Sequence, residues 1–305
     1  MTTADEIAGS LGLEAQPSFA RRRLNALGRF VVTQPLGTIG AIIIIVMILG
    51  SVFAGQLNTV DPKTSIREAG PLDAPNGDNY FGTDRSRRDV WSRVLYGGRP
   101  TLLIGFGAVA ITMGAAIVLA LAAGFLGGIV DVIISRIIEI IIAVPAILWL
   151  LMFTTAIDRS VQTLMFSVAF TFTPIAIRLF RGNVIQERSI AYVEAARVIG
   201  ASGGRIMFRH ILPNLAPLVI VAASITIPAA MLAEAGLTFL GLGLEPGTPS
   251  WAQDLGPSNR PYFRLAWWLV IFPGAALALA VLAFNFFGDS VRDVLDPRLR
   301  GSGLI

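Results

Sequence analysis

The stretch TLLIGFGAVAITMGAAIVLALAA, from Thr101 to Ala123, contains no charged side chain. A helix of about 20 such residues crosses the ~30 Å hydrocarbon layer of a bilayer. Because lipid offers no hydrogen-bond partners, a spanning segment must satisfy its own backbone N–H and C=O groups, as a helix does. This stretch therefore predicts a transmembrane helix.

Five further runs of similar length carry few or no charges and predict five further helices. A β-barrel would need alternating apolar and polar residues, and these runs lack that alternation. The expected fold class is therefore an all-α integral membrane protein with six transmembrane helices. The five runs are Leu36–Ala54, Val132–Phe153, Ser160–Ile177, Leu215–Gly236 and Leu265–Phe287.

The composition agrees with a chain embedded in a membrane. Of the 305 residues, 54% are hydrophobic and 14% are charged, and the mean hydropathy is +0.70. A soluble core of this size could not bury so much apolar surface. The 24 Lys and Arg residues, of which only Lys63 is a lysine, lie beside the apolar runs instead of in a separate basic domain. We therefore expect a lipid bilayer as partner, and no nucleic acid.

The polar residues that enzymes and metal sites require are scarce. The chain has no cysteine, and His210 is its only histidine, so neither thiolate chemistry nor a metal site is expected. Lys63 has no glycine-rich segment before it, so the sequence lacks a P-loop for ATP. We expect no catalytic residue and no cofactor in this chain.

Arginine placement predicts which side of the membrane each loop faces, because short cytoplasmic loops are rich in Arg and Lys. Arg21–Arg23 put the N-terminus inside, and an even number of spans puts the C-terminus inside too. The long external loop also carries six arginines beside six acidic residues, and long loops are partly exempt from the rule. The expected divisions are a cytoplasmic segment 1–35, a membrane domain 36–288 with an external loop 56–99 and a cytoplasmic loop 178–214, and a cytoplasmic tail 289–305.

The cytoplasmic loop contains the most informative polar segment, YVEAARVIG at Tyr192–Gly200, followed by HILP at His210–Pro213. Glu and Ala favour a helix, Gly200 permits a sharp turn, and Pro213 suits the first turn of a following helix. As a bare tripeptide, Glu-Ala-Ala could belong to any surface helix. Its position between the fourth and fifth spans, with small side chains that leave room for another protein, indicates a docking element.

This segment resembles the EAA loop of ABC importer permeases, which in that family seats in a groove of the ATPase subunit. The resemblance implies a type I ABC importer permease fold. It also implies that the loop couples ATP hydrolysis by partner subunits to movement of this chain. The implied coupling residues are Glu194, Ala195, Ala196, Arg197, Gly200, Ile211 and Pro213.

A second segment, FGTD at Phe81–Asp84 with Arg88 and Asp89 after it, resembles the motif before the second span in the dipeptide/oligopeptide and nickel branch of these permeases. Locally, the same residues could form a plain turn with an Asp cap. The implied external-loop motif is Gly82, Thr83, Asp84, Arg88 and Asp89.

Three positions depart from that branch. Arg87 stands where glycine is usual, Gly98 where alanine is common, and Glu139 where aspartate is typical. None of them lies in the coupling loop. Arg136 and Glu139, spaced i and i+3, are expected to form an ion pair at the inner membrane interface.

Glu234 is a carboxylate inside the fifth apolar run. An unpaired charge at mid-membrane costs about 3 kcal/mol or more, so we expect this side chain to face the bundle interior or the outer interface. A role in the pathway or at an interface and a structural role are both open.

The resemblance further implies the partners and the location. They are a second homologous permease subunit, two ABC ATPase subunits that bind ATP and Mg, and an extracytoplasmic solute-binding protein. The complex would lie in a prokaryotic cytoplasmic membrane and move di- and oligopeptides inward by alternating access.

Other cargoes and other classes of protein stay open. Within the family, nickel, haem or another peptide-like cargo is the alternative. An ion-coupled secondary transporter would need an ion site at mid-membrane, for which only Glu234 is a candidate, and broken helices, which the sequence does not predict. A membrane scaffold protein would have no use for the coupling loop.

Overall fold

The computed structural model describes residues 28, 30–57 and 60–295. The regular structure of this part of the chain is helical apart from one isolated bridge between Thr83 and Asp89, and loops connect the helices. Most of the predicted segment 1–35 and residues 296–305 of the predicted tail lie outside the described residues. The helices, numbered along the described chain, are α1 Pro35–Val52, α2 Val90–Leu126, α3 Gly128–Ala143, α4 Ala146–Ala156, α5 Val161–Arg188, α6 Ala191–Val198, α7 Gly203–Phe239, α8 Trp251–Asp254 and α9 Trp268–Leu295.

Five of these helices, α1, α2, α5, α7 and α9, are long and apolar enough to cross a membrane. They contain most of five of the six predicted runs, and the all-α membrane fold class is confirmed. The ends of two spans are π-helical turns, Ala122–Leu126 in α2 and Ile206–Ile211 in α7. His210 therefore lies in a helical turn, although we expected a loop there.

The third predicted span, Val132–Phe153, is not one continuous helix, and that prediction is wrong. The axes of α3 and α4 differ by 85°. Pro145 disfavours the helical region for the residue before it, and Val144 is extended, with φ −90° and ψ 128°. The Trp149 indole N–H donates to the carbonyl of Ile141 at 2.9 Å, which satisfies a group near the bend.

The bent pair nevertheless carries the chain across the membrane once. Helices α2 and α5 are parallel neighbours, because the Thr112 hydroxyl donates to the carbonyl of Ala169 at 3.3 Å near their middles, and Gly124 lies against Val184 near their ends. Parallel helices begin on the same side of a membrane. The segment α3–α4 must therefore return the chain from the end of α2 to the start of α5, which gives six crossings.

Helix α1 runs antiparallel to α9 in close contact. A Cβ atom at Gly40 would lie 2.5 Å from the carbonyl oxygen of Ala283, so glycine is what lets the two backbones approach. At the other end of α1, Arg99 Nε donates to the carbonyl of Ser51 at 2.7 Å. The start of α1, the end of α9, and the ends of α2 and α5 therefore share one side of the membrane.

The opposite side is covered by two loops that pack on each other. The indole N–H of Trp268 donates to the carbonyl of Thr83 at 3.0 Å, and that of Trp251 donates to the carbonyl of Val94 at 2.7 Å. These bonds join the loop before α2 and the first turns of α2 to α8 and the first residue of α9. We call this assembly the loop cap.

The centre of the loop cap is a buried ion pair. The side chains of Arg93 and Asp254 are 3% and 6% exposed, and Arg93 Nε lies 2.8 Å from Asp254 Oδ1. The same guanidinium donates to the carbonyls of Pro62 at 3.1 Å and Gly247 at 3.3 Å. Burial raises the pKa of Asp254, and the charge of Arg93 opposes that rise.

We expect Arg93→Met to lower the stability of the folded chain by about 3–5 kcal/mol, because it leaves the carboxylate of Asp254 buried without its cation. The apparent unfolding temperature in detergent, followed by tryptophan fluorescence, measures this loss. Arg136→Met is the matched control, since the Arg136–Glu139 pair is 75% and 51% exposed. The double variant Arg93→Met/Asp254→Leu should recover part of the loss. Equal unfolding temperatures for Arg93→Met and Arg136→Met would contradict the prediction.

Candidate coupling surface and external loop

Helix α6 forms the middle of the predicted coupling loop and ends in a Schellman turn. The N–H of Gly200 donates to the carbonyl of Arg197 at 2.9 Å, and that of Ala201 donates to Ala196 at 3.0 Å. Gly200 has φ +80°, in the left-handed region that favours glycine. A Cβ atom here would meet no other atom within 4 Å. Backbone geometry, not space within the chain, therefore requires glycine at this position.

One side of α6 packs on the ends of three spans. Val193 and Ala196 are buried on this side, against residues from α2, α5 and α7. We call this set the inner cluster. Its buried members are Leu121, Phe125, Val184, Val193, Ala196, Ile206, Ile211 and Leu215.

The inner cluster divides the predicted coupling residues into two groups. Ala196 and Ile211 belong to it and are inaccessible to another protein in this structure. The other five are exposed, and the carboxylate of Glu194 makes no hydrogen bond or ion pair with any described residue. The exposed members are Glu194, Ala195, Arg197, Gly200 and Pro213.

Two apolar residues at the end of α6 were missed by the sequence analysis. Val198 is 86% exposed and Ile199 is 83% exposed, next to the turn at Gly200. Their exposure next to the turn makes the tip of α6 a candidate surface for protein contact. The signal in the sequence is a pair of β-branched residues directly before a turn glycine, outside the spans.

Polar and aromatic contacts also fix α6 in place. The Tyr192 hydroxyl donates to Glu187 Oε2 at 2.5 Å and accepts from Asn214 Nδ2 at 2.9 Å, which links α5, α6 and α7. Burial raises the pKa of Tyr192, and the carboxylate of Glu187 raises it further. The Arg197 guanidinium lies 5.5 Å from the ring centroid of Phe125, within cation–π range. These contacts join α6 to the ends of α2, α5 and α7.

Gly82 and Thr83 of the external-loop motif hold the chain together on the opposite side. Gly82 has φ +72°, and a Cβ atom there would lie 2.6 Å from the carbonyl oxygen of Asp73. The Thr83 hydroxyl donates to the carbonyl of Gly70 at 2.8 Å and accepts from the N–H of Asp73 at 2.9 Å. These bonds fold residues 70–83 back on themselves.

The charged members of the same motif form a turn and a helix cap. Asp84 accepts from the backbone N–H groups of Ser86 and Arg88 at 2.8 and 2.9 Å, and from Arg88 Nε at 2.7 Å. Asp89 caps the start of α2 by accepting from the N–H of Ser92 at 2.8 Å. These contacts lie within the chain, as expected if the motif forms a local turn with an Asp cap.

The structure shows the backbone or packing constraint at two of the positions that depart from the usual branch pattern. Arg87 has φ +58°, a conformation that glycine adopts without cost, so the usual glycine is understandable. A Cβ atom at Gly98 would lie 2.0 Å from Ser51 Oγ and 2.9 Å from the ring of Trp251, so an alanine would need different neighbours. At the third position, Glu139 bonds to Arg136 at 2.7 Å, and the predicted ion pair is confirmed.

Glu234 lies in α7 and is fully buried inside the bundle, which is one of the two locations expected for it. Its Oε1 accepts from the Thr238 hydroxyl at 3.0 Å, and its Oε2 has no hydrogen-bond partner among the described residues. Within the described chain, no group of three or more His, Cys, Asp and Glu residues could hold a metal ion. In this conformation Glu234 does not line an open pathway.

Comparison with known proteins identifies the family. The family described as "Binding-protein-dependent transport system inner membrane component" matches residues 116–301, which include α6 and every buried member of the inner cluster. The dipeptide transport system permease protein DppC of Alkalihalophilus pseudofirmus is 38% identical over 268 residues, which cover 87% of this chain and 86% of the relative.

Two further relatives agree. The probable D,D-dipeptide transport system permease protein DdpC of Escherichia coli is 38% identical over 267 residues, or 88% of this chain and 89% of the relative. The oligopeptide transport system permease protein OppC of Bacillus subtilis is 32% identical over 267 residues, or 87% and 86%. These matches confirm the resemblance to the dipeptide/oligopeptide permeases. The chain belongs to the family of inner membrane components of binding-protein-dependent transport systems.

Proposed function

We propose that this membrane subunit forms part of an ATP-driven importer that moves di- and oligopeptides across a prokaryotic cytoplasmic membrane. The cargo assignment is supported by the names of the relatives, which are peptide permeases. A second homologous permease subunit would complete the pathway. An extracytoplasmic solute-binding protein would deliver the peptide to the side of the loop cap.

The observation that carries the proposal is the exposed surface of α6, which has Glu194, Val198 and Ile199 on it and is seated on the inner cluster. Two ABC ATPase subunits, which bind ATP and Mg, would dock on this surface in the two permease subunits. Because α6 packs on the ends of α2, α5 and α7, a force on α6 acts on three spans at once. Hydrolysis in the ATPase subunits would then drive alternating access in the membrane.

The proposed topology places segments 1–35, 178–214 and 289–305 in the cytoplasm and the loop 56–99 outside. Two observations support this topology. The start of α1, the start of α6 and the end of α9 lie on the same side of the membrane, and arginines lie beside all three. The helix α9 continues to Leu295, so the proposed tail begins within its last turns.

Alternative functions have less support. Nickel, haem or another peptide-like cargo would fit the same fold, and side chains of this subunit do not discriminate among them. The bend between α3 and α4 is a feature that secondary transporters also use, but no second charged group of the described residues lies beside the buried Glu234 to form an ion site with it. A scaffold function would not account for the exposed surface of α6.

We expect Gly200→Val and Glu194→Lys to abolish uptake of a labelled dipeptide in cells and to weaken association of the ATPase. Valine at φ +80° is sterically strained and would tilt the end of α6, while lysine reverses the charge of an exposed position. Gly204→Val is the matched control, because Gly204 lies in the same loop, has open space around it and has no positive φ. If both variants transported normally with the ATPase fully associated, the coupling role would be wrong.

Wild-type uptake of nickel but not of dipeptide would favour the alternative cargo.

A second prediction separates docking from folding. We expect Val198→Ser/Ile199→Ser to leave the unfolding temperature within a degree or two, because both side chains already face solvent. The same variant should lose most of the ATPase during purification, since burying each such side chain contributes about 1.5–3 kcal/mol. Copurification of the ATPase in wild-type amounts would show that the tip of α6 is not a docking surface.

The topology can be tested with single cysteines, because the natural chain has none. Gly77→Cys lies in the external loop and should react with an impermeant maleimide in intact cells. Ser202→Cys, next to α6, should react only after the membrane is permeabilised. Both positions are exposed. The opposite pattern of labelling would invert the proposed topology.

A further inference from the structure

Helices α2, α3 and α5 enclose an apolar groove of about 290 Å³ on the surface of the bundle. Of its twelve lining residues, only Thr173 carries a polar side-chain atom, and that hydroxyl donates to the carbonyl of Ala169 at 2.6 Å. The groove therefore offers no free polar group to a ligand. Its walls include Ile111, Ala115, Ile134, Ile138, Phe166 and Phe170.

A second, polar cavity of about 270 Å³ lies next to this groove and shares Ile138 with it. We call it the arginine pocket. Arg178 is the residue directly after Ile177, which lines the groove, so the two cavities are also continuous along α5. The pocket is lined by Ser135, Ile138, Glu139, Arg178 and Arg181.

The charges around the arginine pocket do not cancel. Arg181 is neutralised by Asp131 through two bonds, Nε to Oδ1 and Nη2 to Oδ2 at 2.6 Å. Glu139 is paired with Arg136. Arg178 is exposed and makes no hydrogen bond or ion pair with any described residue. One guanidinium with all its donors available therefore remains at the mouth of the groove.

The depth of Arg178 in the membrane matches the headgroup region. Helix α5 is capped by Ser160, and Arg159 beside it donates to the carbonyl of Gly241 in the loop cap. The 18 helical steps from Ser160 to Arg178 rise by about 27 Å, close to the ~30 Å hydrocarbon thickness. Arg178 thus lies at the inner edge of the hydrocarbon layer, and the groove extends into the layer from there.

We propose that the groove and the arginine pocket together bind one anionic phospholipid from the leaflet on the α6 side. An acyl chain fills the apolar groove, and the phosphate accepts hydrogen bonds from the guanidinium of Arg178. Arginine binds phosphate oxygens through paired N–H donors, and basic pockets between membrane helices select anionic headgroups. The lipid would bridge α3 and α5 beside the bend.

Native mass spectrometry of the purified transporter complex tests this proposal with phosphatidylglycerol and phosphatidylcholine titrated separately. We expect wild-type protein to retain phosphatidylglycerol more tightly, and Arg178→Gln to reduce that preference about fivefold. Arg292→Gln, which changes an exposed arginine near the end of α9, should leave the preference unchanged. Ala115→Phe, which fills the groove, should weaken retention of both lipids.

Three outcomes would overturn the proposal. The first is an equal lipid preference in Arg178→Gln and Arg292→Gln. The second is displacement of the bound lipid by a dipeptide, which would make the groove a cargo site. The third is an efficient cross-link from the cysteine of Ala115→Cys to another protein subunit, which would make the groove a subunit interface. Ala115→Cys is a small change at a partly exposed position, so this variant still tests who occupies the groove if Ala115→Phe does not fold.

Discussion

The parallel packing of α2 against α5 determines where the other elements lie. Two consecutive straight spans in a membrane run in opposite directions, so a parallel pair needs a crossing between its members. The segment α3–α4 supplies that crossing and must fit beside the pair. The parallel arrangement also brings the ends of α2 and α5 together, and the apolar side chains there form the seat on which α6 rests.

Lipid exposure limits how the crossing can bend. Backbone groups that leave a helix inside a membrane need partners within the protein, because lipid supplies none. The bend at Val144 and Pro145 meets this requirement in part through the indole of Trp149. Proline contributes by having no N–H to satisfy.

Composition and residue patterns predicted the class of fold and the number of crossings, while the coupling and external-loop roles of the two motifs stay predictions. An apolar run indicates that a segment lies in the membrane, but it does not indicate which other segments this segment contacts. The pair of Arg93 and Asp254 joins residues far apart in the sequence, so local patterns could not reveal it. The bend was missed because a proline in an apolar run is compatible with both a kinked and a broken helix. Exposure of Val198 and Ile199 depends on how α6 turns on its seat, which only the structure defines.

The two ends of the bundle are held by different kinds of force. The loop cap is fastened by a buried ion pair and by two indole hydrogen bonds, which are directional and weaken steeply when atoms are displaced. The seat of α6 combines apolar contacts, whose energy depends on area and hardly on direction, with the hydrogen bonds of Tyr192 to Glu187 and Asn214. Displacement of α6 would therefore carry the ends of α5 and α7 with it, while the directional bonds of the loop cap resist displacement. A force on α6 would then rotate the spans about the loop cap, on the opposite side of the membrane.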